Sequence, residues 1–154
     1  MRKGRDVTLA ATSHMTLESL KAADLLAQIG VDAEVIDLRS VSPIDTATLC
    51  ESVGRTGRLV VSDTGHEFFG VGAEVIAAVT ERSFGMLKAA PLRVGLPHIP
   101  TPTTPALADL YYPLARDIAA AALKSLGSTR ALPPDDSDPR KWKDVPDPSF
   151  KGPY

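Results

Sequence analysis

Three histidines carry the proton chemistry available to this chain. His14, His66 and His98 each stand just after a short apolar run that reads as a buried strand: Val7 to Thr12, Leu59 to Ser62 and Leu92 to Gly95. If those strands are parallel, the three imidazoles gather at one edge of the sheet. An imidazole with a pKa of about 6.5 can give or take a proton there near neutral pH. His66 and His98 are the candidates for assisting proton transfer or recognising a substrate carboxylate. Loops after strands are polar in any α/β domain, so the coincidence alone does not demand a site.

The other chemical signals are weaker. His66-Glu67 is followed at position 70 by glycine, not histidine, so it is not the HExxH zinc helix, and with no converging third and fourth ligand no metal site is expected. Gly70-Val-Gly-Ala-Glu-Val75 opens a helix after a strand. It lacks the third glycine of a dinucleotide fingerprint and follows the third strand instead of the first, so its glycines read as close packing. A small anion at the helix N-terminus near Gly70 is the alternative use of that stretch. Cys50, between Leu49 and Val53, reads as a core-facing thiol with no disulfide partner. No GxxxxGK[ST] loop or GxSxG elbow occurs, so the motifs do not describe a complete enzyme.

Asp63, His66, Phe68 and Phe69 crowd the turn after the third strand and are candidates for a partner interface. Exposed aromatics beside glycine suit an interface, although both rings could instead tuck beneath the loop. Tyr111-Tyr112-Pro113 is open in the same way. Trp142 joins the interface candidates because a purely solvating tail has little use for tryptophan.

These residues need elements to position them. Leu17, Leu20, Leu25, Leu26 and Ile29 fall mostly on one helical face, with Glu18, Lys21 and Asp24 left for solvent and Gly30 as a stop. Ala33 to Leu38 is a second strand. Ser42-Pro43-Ile44-Asp45 has the cap, the proline and the acid of a helix start, and that helix should end at Gly54 or Gly57. The third strand feeds a helix from Gly70 or Gly72 that carries Val75, Ile76 and Val79 toward Phe84 and Leu87. After the fourth strand, four prolines in the ten residues from Leu96 through Pro105 force a stiff, extended loop. Thr104-Pro105 then starts a last helix, through Leu114, Ile118 and Ala122 to Gly127. Strand and helix alternating with short connections predict an α/β layered domain with a mainly parallel sheet over residues 1–127. Residues 128–154 hold six of the thirteen prolines among mixed charges and read as a proline-rich tail, flexible or bound to a partner surface.

A net charge of −2 gives no basic field for nucleic acid. No apolar run approaches the roughly 20 residues that cross a bilayer, and Met-Arg-Lys-Gly-Arg-Asp at the start is no signal peptide. A cytoplasmic protein with no membrane partner is expected.

Taken together, Asp6-Val-Thr-Leu9, Ala33-Glu-Val-Ile-Asp-Leu-Arg39, Ser42-Pro-Ile-Asp-Thr46, Thr56-Gly-Arg-Leu-Val-Val61, Gly70-Val-Gly-Ala-Glu-Val75 and Ile99-Pro-Thr-Pro102 carry a family likeness in that order. They closely resemble the C-terminal domain of transketolase-like proteins, above all that of the E1 β subunit of 2-oxo acid dehydrogenases of the pyruvate, acetoin or branched-chain type. The resemblance covers residues from about 5 to 126. It implies a three-layer α/β/α domain with a mostly parallel five-stranded sheet, one edge strand being antiparallel. It also implies subunit contacts, a place near an active-site entrance and, in E1 β subunits, contact with the E2 acyltransferase.

In the family a pyrimidine-binding domain precedes this one, and thiamine diphosphate with Mg is held by that domain and a diphosphate-binding chain. This sequence lacks the preceding domain, which suggests a split gene or a fragment, with no cofactor bound by this chain alone and no activity by itself. Homo- or hetero-oligomers with the pyrimidine- and diphosphate-binding chains are the expected state. Thr64, where family members often carry a second acid, and the long tail depart from the family pattern.

Overall fold

A computed structural model of the chain describes residues 1–135. Four strands, β1 (Val7–Ala11), β2 (Ala33–Asp37), β3 (Leu59–His66) and β4 (Leu92–Leu96), form one sheet in the order β2-β1-β3-β4, every neighbouring pair being parallel. Helices α1 (His14–Gln28) and α5 (Ala115–Leu126) cover one face, and α2 (Thr46–Thr56) and α3 (Val71–Ser83) cover the other. Short α4 (Pro105–Tyr111) lies in the connection from β4 to α5.

The two-residue period of β1 shows how the layers are specified. Val7, Leu9 and Ala11 enter the core under α1 and α5, whereas Ala10 joins Leu49, Val53, Val75 and Val79 under α2 and α3. Thr8 faces the second layer and is satisfied there by the Ser52 hydroxyl at 2.7 Å and the Thr56 hydroxyl at 2.8 Å. On the opposite face Ser19 of α1 meets Ser62 of β3 at 2.9 Å. Both faces of the sheet are covered, so the central stretches of its inner strands, such as Leu9-Ala-Ala11 and Leu59-Val-Val61, are apolar runs, as parallel sheets require.

The sheet has four strands among the described residues, not five, and its antiparallel part is a single bridge between Arg2 and Val35. Gly4 explains how short that bridge is. It backs so closely on the Ala33–Glu34 backbone that a Cβ would collide, and the chain then turns into β1 through bonds from the Arg5 and Asp6 amides to the Asp32 carbonyl.

Four further expectations are corrected. Asp45, not Ser42, caps α2, accepting from the Thr48 amide at 3.1 Å, because the helix begins only at Thr46 and Ser42 and Pro43 lie in the loop before it. The last helix is two helices: Pro113 has no amide proton to continue α4, and α5 restarts where the Asp117 carboxylate accepts from the Leu114 amide at 2.8 Å. Phe84 lies beyond α3 in a 3₁₀ turn and is exposed. Cys50 is half-buried instead of core-facing. Gly57 and Gly127 do end their helices, each in the left-handed conformation.

Candidate functional site

The chain runs outward from β1 in both directions, so the order of the sheet reverses between β1 and β3. In open α/β sheets the crevice beyond the carboxyl ends at that point is where ligands gather. Here it is bridged by the chain itself: Thr12, after β1, donates its hydroxyl to the Asp63 carboxylate at 3.0 Å. Asp63 is half-buried and ties the two strand ends together.

Strain collects along the same edge. The non-glycine residues with positive φ among the described residues are Ser13, Arg39 and Phe69, at 49°, 52° and 58°, in the connections after β1, β2 and β3. Left-handed backbone costs an ordinary residue roughly 1–2 kcal/mol, and such outliers cluster where function constrains the chain. In Phe69 it holds a ring that is 90% exposed.

The stretch expected to be a turn after a short third strand is largely strand: β3 runs to His66, irregularly paired with β4 between Ser62 and His66. His66 therefore ends a strand, and its Nδ1 lies 2.9 Å from the Pro97 carbonyl in the loop after β4. A carbonyl only accepts, so Nδ1 carries the proton and a neutral His66 keeps Nε2 as its basic nitrogen. The His66 and His98 rings meet edge-on at 5.9 Å, Phe68 lies 4.9 Å from His98, and Phe69 packs edge-on against Phe68 at 4.5 Å. Two candidate histidines and two candidate aromatics thus form one exposed cluster. His14 stands apart at the start of α1, where its Nε2 is 3.9 Å from Glu18. Trp142 lies outside the described residues.

Behind the His98 loop lies a cleft of about 570 Å³ between β4 and the α4–α5 connection, lined among others by Glu67, Arg93, Pro97, Leu110, Tyr112 and Asp117. Tyr111 braces its wall by donating to the Ile99 carbonyl at 3.3 Å, and Arg93 Nη1 donates to the Glu67 carbonyl at 2.7 Å. Sequence reading singled out none of Glu67, Arg93 or Leu110. The signal for Leu110 was present, since with Leu107 it gives α4 an exposed apolar face.

Two charged groups inside the domain hold it together. Glu34 is buried on β2 and accepts from Arg55 at 2.7 and 2.8 Å and from Ser52 at 2.9 Å. Burial opposes its charge, but Arg55, Ser52 and Lys3 outweigh that and hold its pKa below the usual glutamate value. Glu18, expected at the surface, is buried against α5 and accepts from the Ala115 amide and Lys21, each at 2.9 Å.

Among the described residues no three His, Cys, Asp or Glu side chains converge. No helix among them is long and apolar enough to cross a membrane.

Residues 1–118 match the family described as transketolase, C-terminal domain. The chain is 44% identical over 126 residues to the beta subunit of the acetoin:2,6-dichlorophenolindophenol oxidoreductase of Cupriavidus necator, a match covering 82% of this chain and 37% of that protein. It is 44% identical over 124 residues to the mitochondrial pyruvate dehydrogenase E1 component subunit beta of Pisum sativum, covering 80% of this chain and 34% of that one. A solved structure described as split gene transketolase, inactive beta4 tetramer, aligns with a TM-score of 0.73 at 34% identity, over 84% of this chain and 42% of that one. The chain therefore spans little more than a third of the length of these curated relatives.

Proposed function

Because the chain belongs to the transketolase C-terminal domain family, we propose that it works as the C-terminal domain or subunit of a thiamine diphosphate-dependent enzyme of the E1 2-oxo acid dehydrogenase or transketolase type. Its part is assembly and the shaping of the active-site entrance, and it is not catalytic alone. The observation that carries this reading is Phe69, an aromatic ring held out into water by strained backbone at the carboxyl edge of the sheet. Exposed aromatics of this kind are enriched where proteins meet.

The partners are the pyrimidine- and diphosphate-binding chains, which hold the cofactor with its magnesium; an E2 acyltransferase is a further partner on the E1 reading. The similar split transketolase was described as a tetramer, which agrees with an assembly role. Mixing the purified chain with the pyrimidine- and diphosphate-binding chains of its own organism should give a complex of fixed stoichiometry on size-exclusion chromatography. Full activity of those chains without it, and no comigration, would reject the proposal.

His66 supports a second, assisting role. With Nδ1 engaged by the Pro97 carbonyl, Nε2 can accept a proton beside His98. Turnover of the assembled enzyme should then fall in His66→Ala while the complex persists. The small-anion alternative at the start of α3 ranks lower, because Asp63 lies beside Gly70 and Glu74 already occupies the first turn of that helix.

A further inference from the structure

The stretch after α5, with Trp142 in it, has no part in the function above. Its described portion does not leave the domain. Arg130 Nη1 donates to the Ile29 carbonyl at 3.0 Å, and Leu132 packs on the core layer of α1 and α5. Arg116 Nη1 donates to the Pro133 carbonyl at 2.9 Å, and its Nε pairs with Asp135 at 3.7 Å. The chain thus turns at Gly127 and runs back along α5 to the first turn of that helix. Arg116 is followed by Asp117, which lines the cleft beside β4, and consecutive Cα atoms are only about 3.8 Å apart. The described chain therefore ends, at Asp135, beside the first turn of α5, the turn that also holds Asp117.

We propose that the cleft between β4 and the α4–α5 connection seats this chain's own C-terminal residues, with Trp142 as the anchor. Reach is sufficient: Trp142 is seven residues past Asp135, which in an extended proline-rich conformation spans about 22 Å. The chemistry matches as well. Proline-rich segments dock in aromatic-lined grooves, and this one offers Tyr112, Pro97, Pro113 and a Leu110 that is 85% exposed. Trp142 is flanked by Arg140, Lys141 and Lys143, while Glu67 and Asp117 stand in the cleft as exposed acids. A seated indole covers Leu110, which is more exposed than Leu107 on the same helix.

Trp142 is the only tryptophan, so the emission and acrylamide quenching of the full chain read its environment directly. Leu110→Asp and Tyr112→Ala alter the cleft, and far-UV circular dichroism checks that both variants stay folded. Quenching should be several-fold weaker in the wild type than in either variant, with a blue-shifted emission that persists on dilution. Equal quenching in wild type and folded variants overturns the proposal. Wild-type quenching as strong as that of free tryptophan overturns it whether or not the variants fold. Shielding lost on dilution overturns it too, since the occupant is then a second copy.

Discussion

Gly70 and Gly72 look alike in the sequence and do different work. A Cβ on Gly70 would run into the His66 carbonyl oxygen, because the backbone doubles back on itself as β3 gives way to α3. A Cβ on Gly72 would meet Val61 at 3.5 Å, an ordinary contact, inside a helix that favours alanine over glycine. Gly70→Ala should therefore cost about 1–3 kcal/mol, whereas Gly72→Ala should leave stability unchanged or raise it by a few tenths of a kcal/mol. Urea unfolding of the two variants checks the contrast. Equal effects would mean that the tight approach at Gly70 is not what fixes the loop carrying Phe68 and Phe69.

At the scale of elements, β2 and α2 are joined by an ion pair as well as by apolar packing. Glu34 of β2 is held by Arg55 and Ser52 of α2, and Ser52 also meets Thr8 of β1, so one buried polar chain links a helix to two strands. Its folded-state pKa is depressed. The stability it contributes is thus fully present above the unfolded glutamate pKa of about 4.3 and is lost as pH falls through the folded value. Glu34→Gln should accordingly be less stable than the wild type at pH 7, and the gap should narrow as the pH is taken down to about 3, below the unfolded glutamate pKa of about 4.3 and toward the lower folded value. Denaturant unfolding at the two pH values measures this, and a gap that widens in acid would contradict it. The α4–α5 break is also decided at this scale, because the apolar period running through Leu114 and Ile118 cannot cross Pro113 as one helix.

For the whole molecule, the carboxyl edge of the sheet is where strain and exposed apolar surface coincide. Phe69→Gly removes the ring and suits the left-handed backbone, so the isolated chain should keep its stability or gain up to about 1 kcal/mol. The same change should weaken the assembled complex by about 2 kcal/mol, the scale of an aromatic hot spot. Thermal melting and a binding isotherm separate the two effects, and unchanged binding would remove Phe69 from the interface. The layered α/β architecture was legible because each strand is a short apolar run and each helix repeats its apolar residues on one face, patterns that local sequence alone sets. The order of strands, helices and the histidine-bearing loops followed from the same alternation. The residues quoted for the family resemblance, such as Ala33 to Arg39, carried the family itself, which the match over residues 1–118 shows. The tertiary structure decided what depends on residues distant in sequence: that Asp63 meets Thr12, that His66 and His98 meet, that Glu18 is buried by α5, and that a cleft opens beside β4. Hydrophobic periodicity fixes which face of an element is buried, whereas partners across 30 or more positions are chosen only when the sheet brings its loops to one edge.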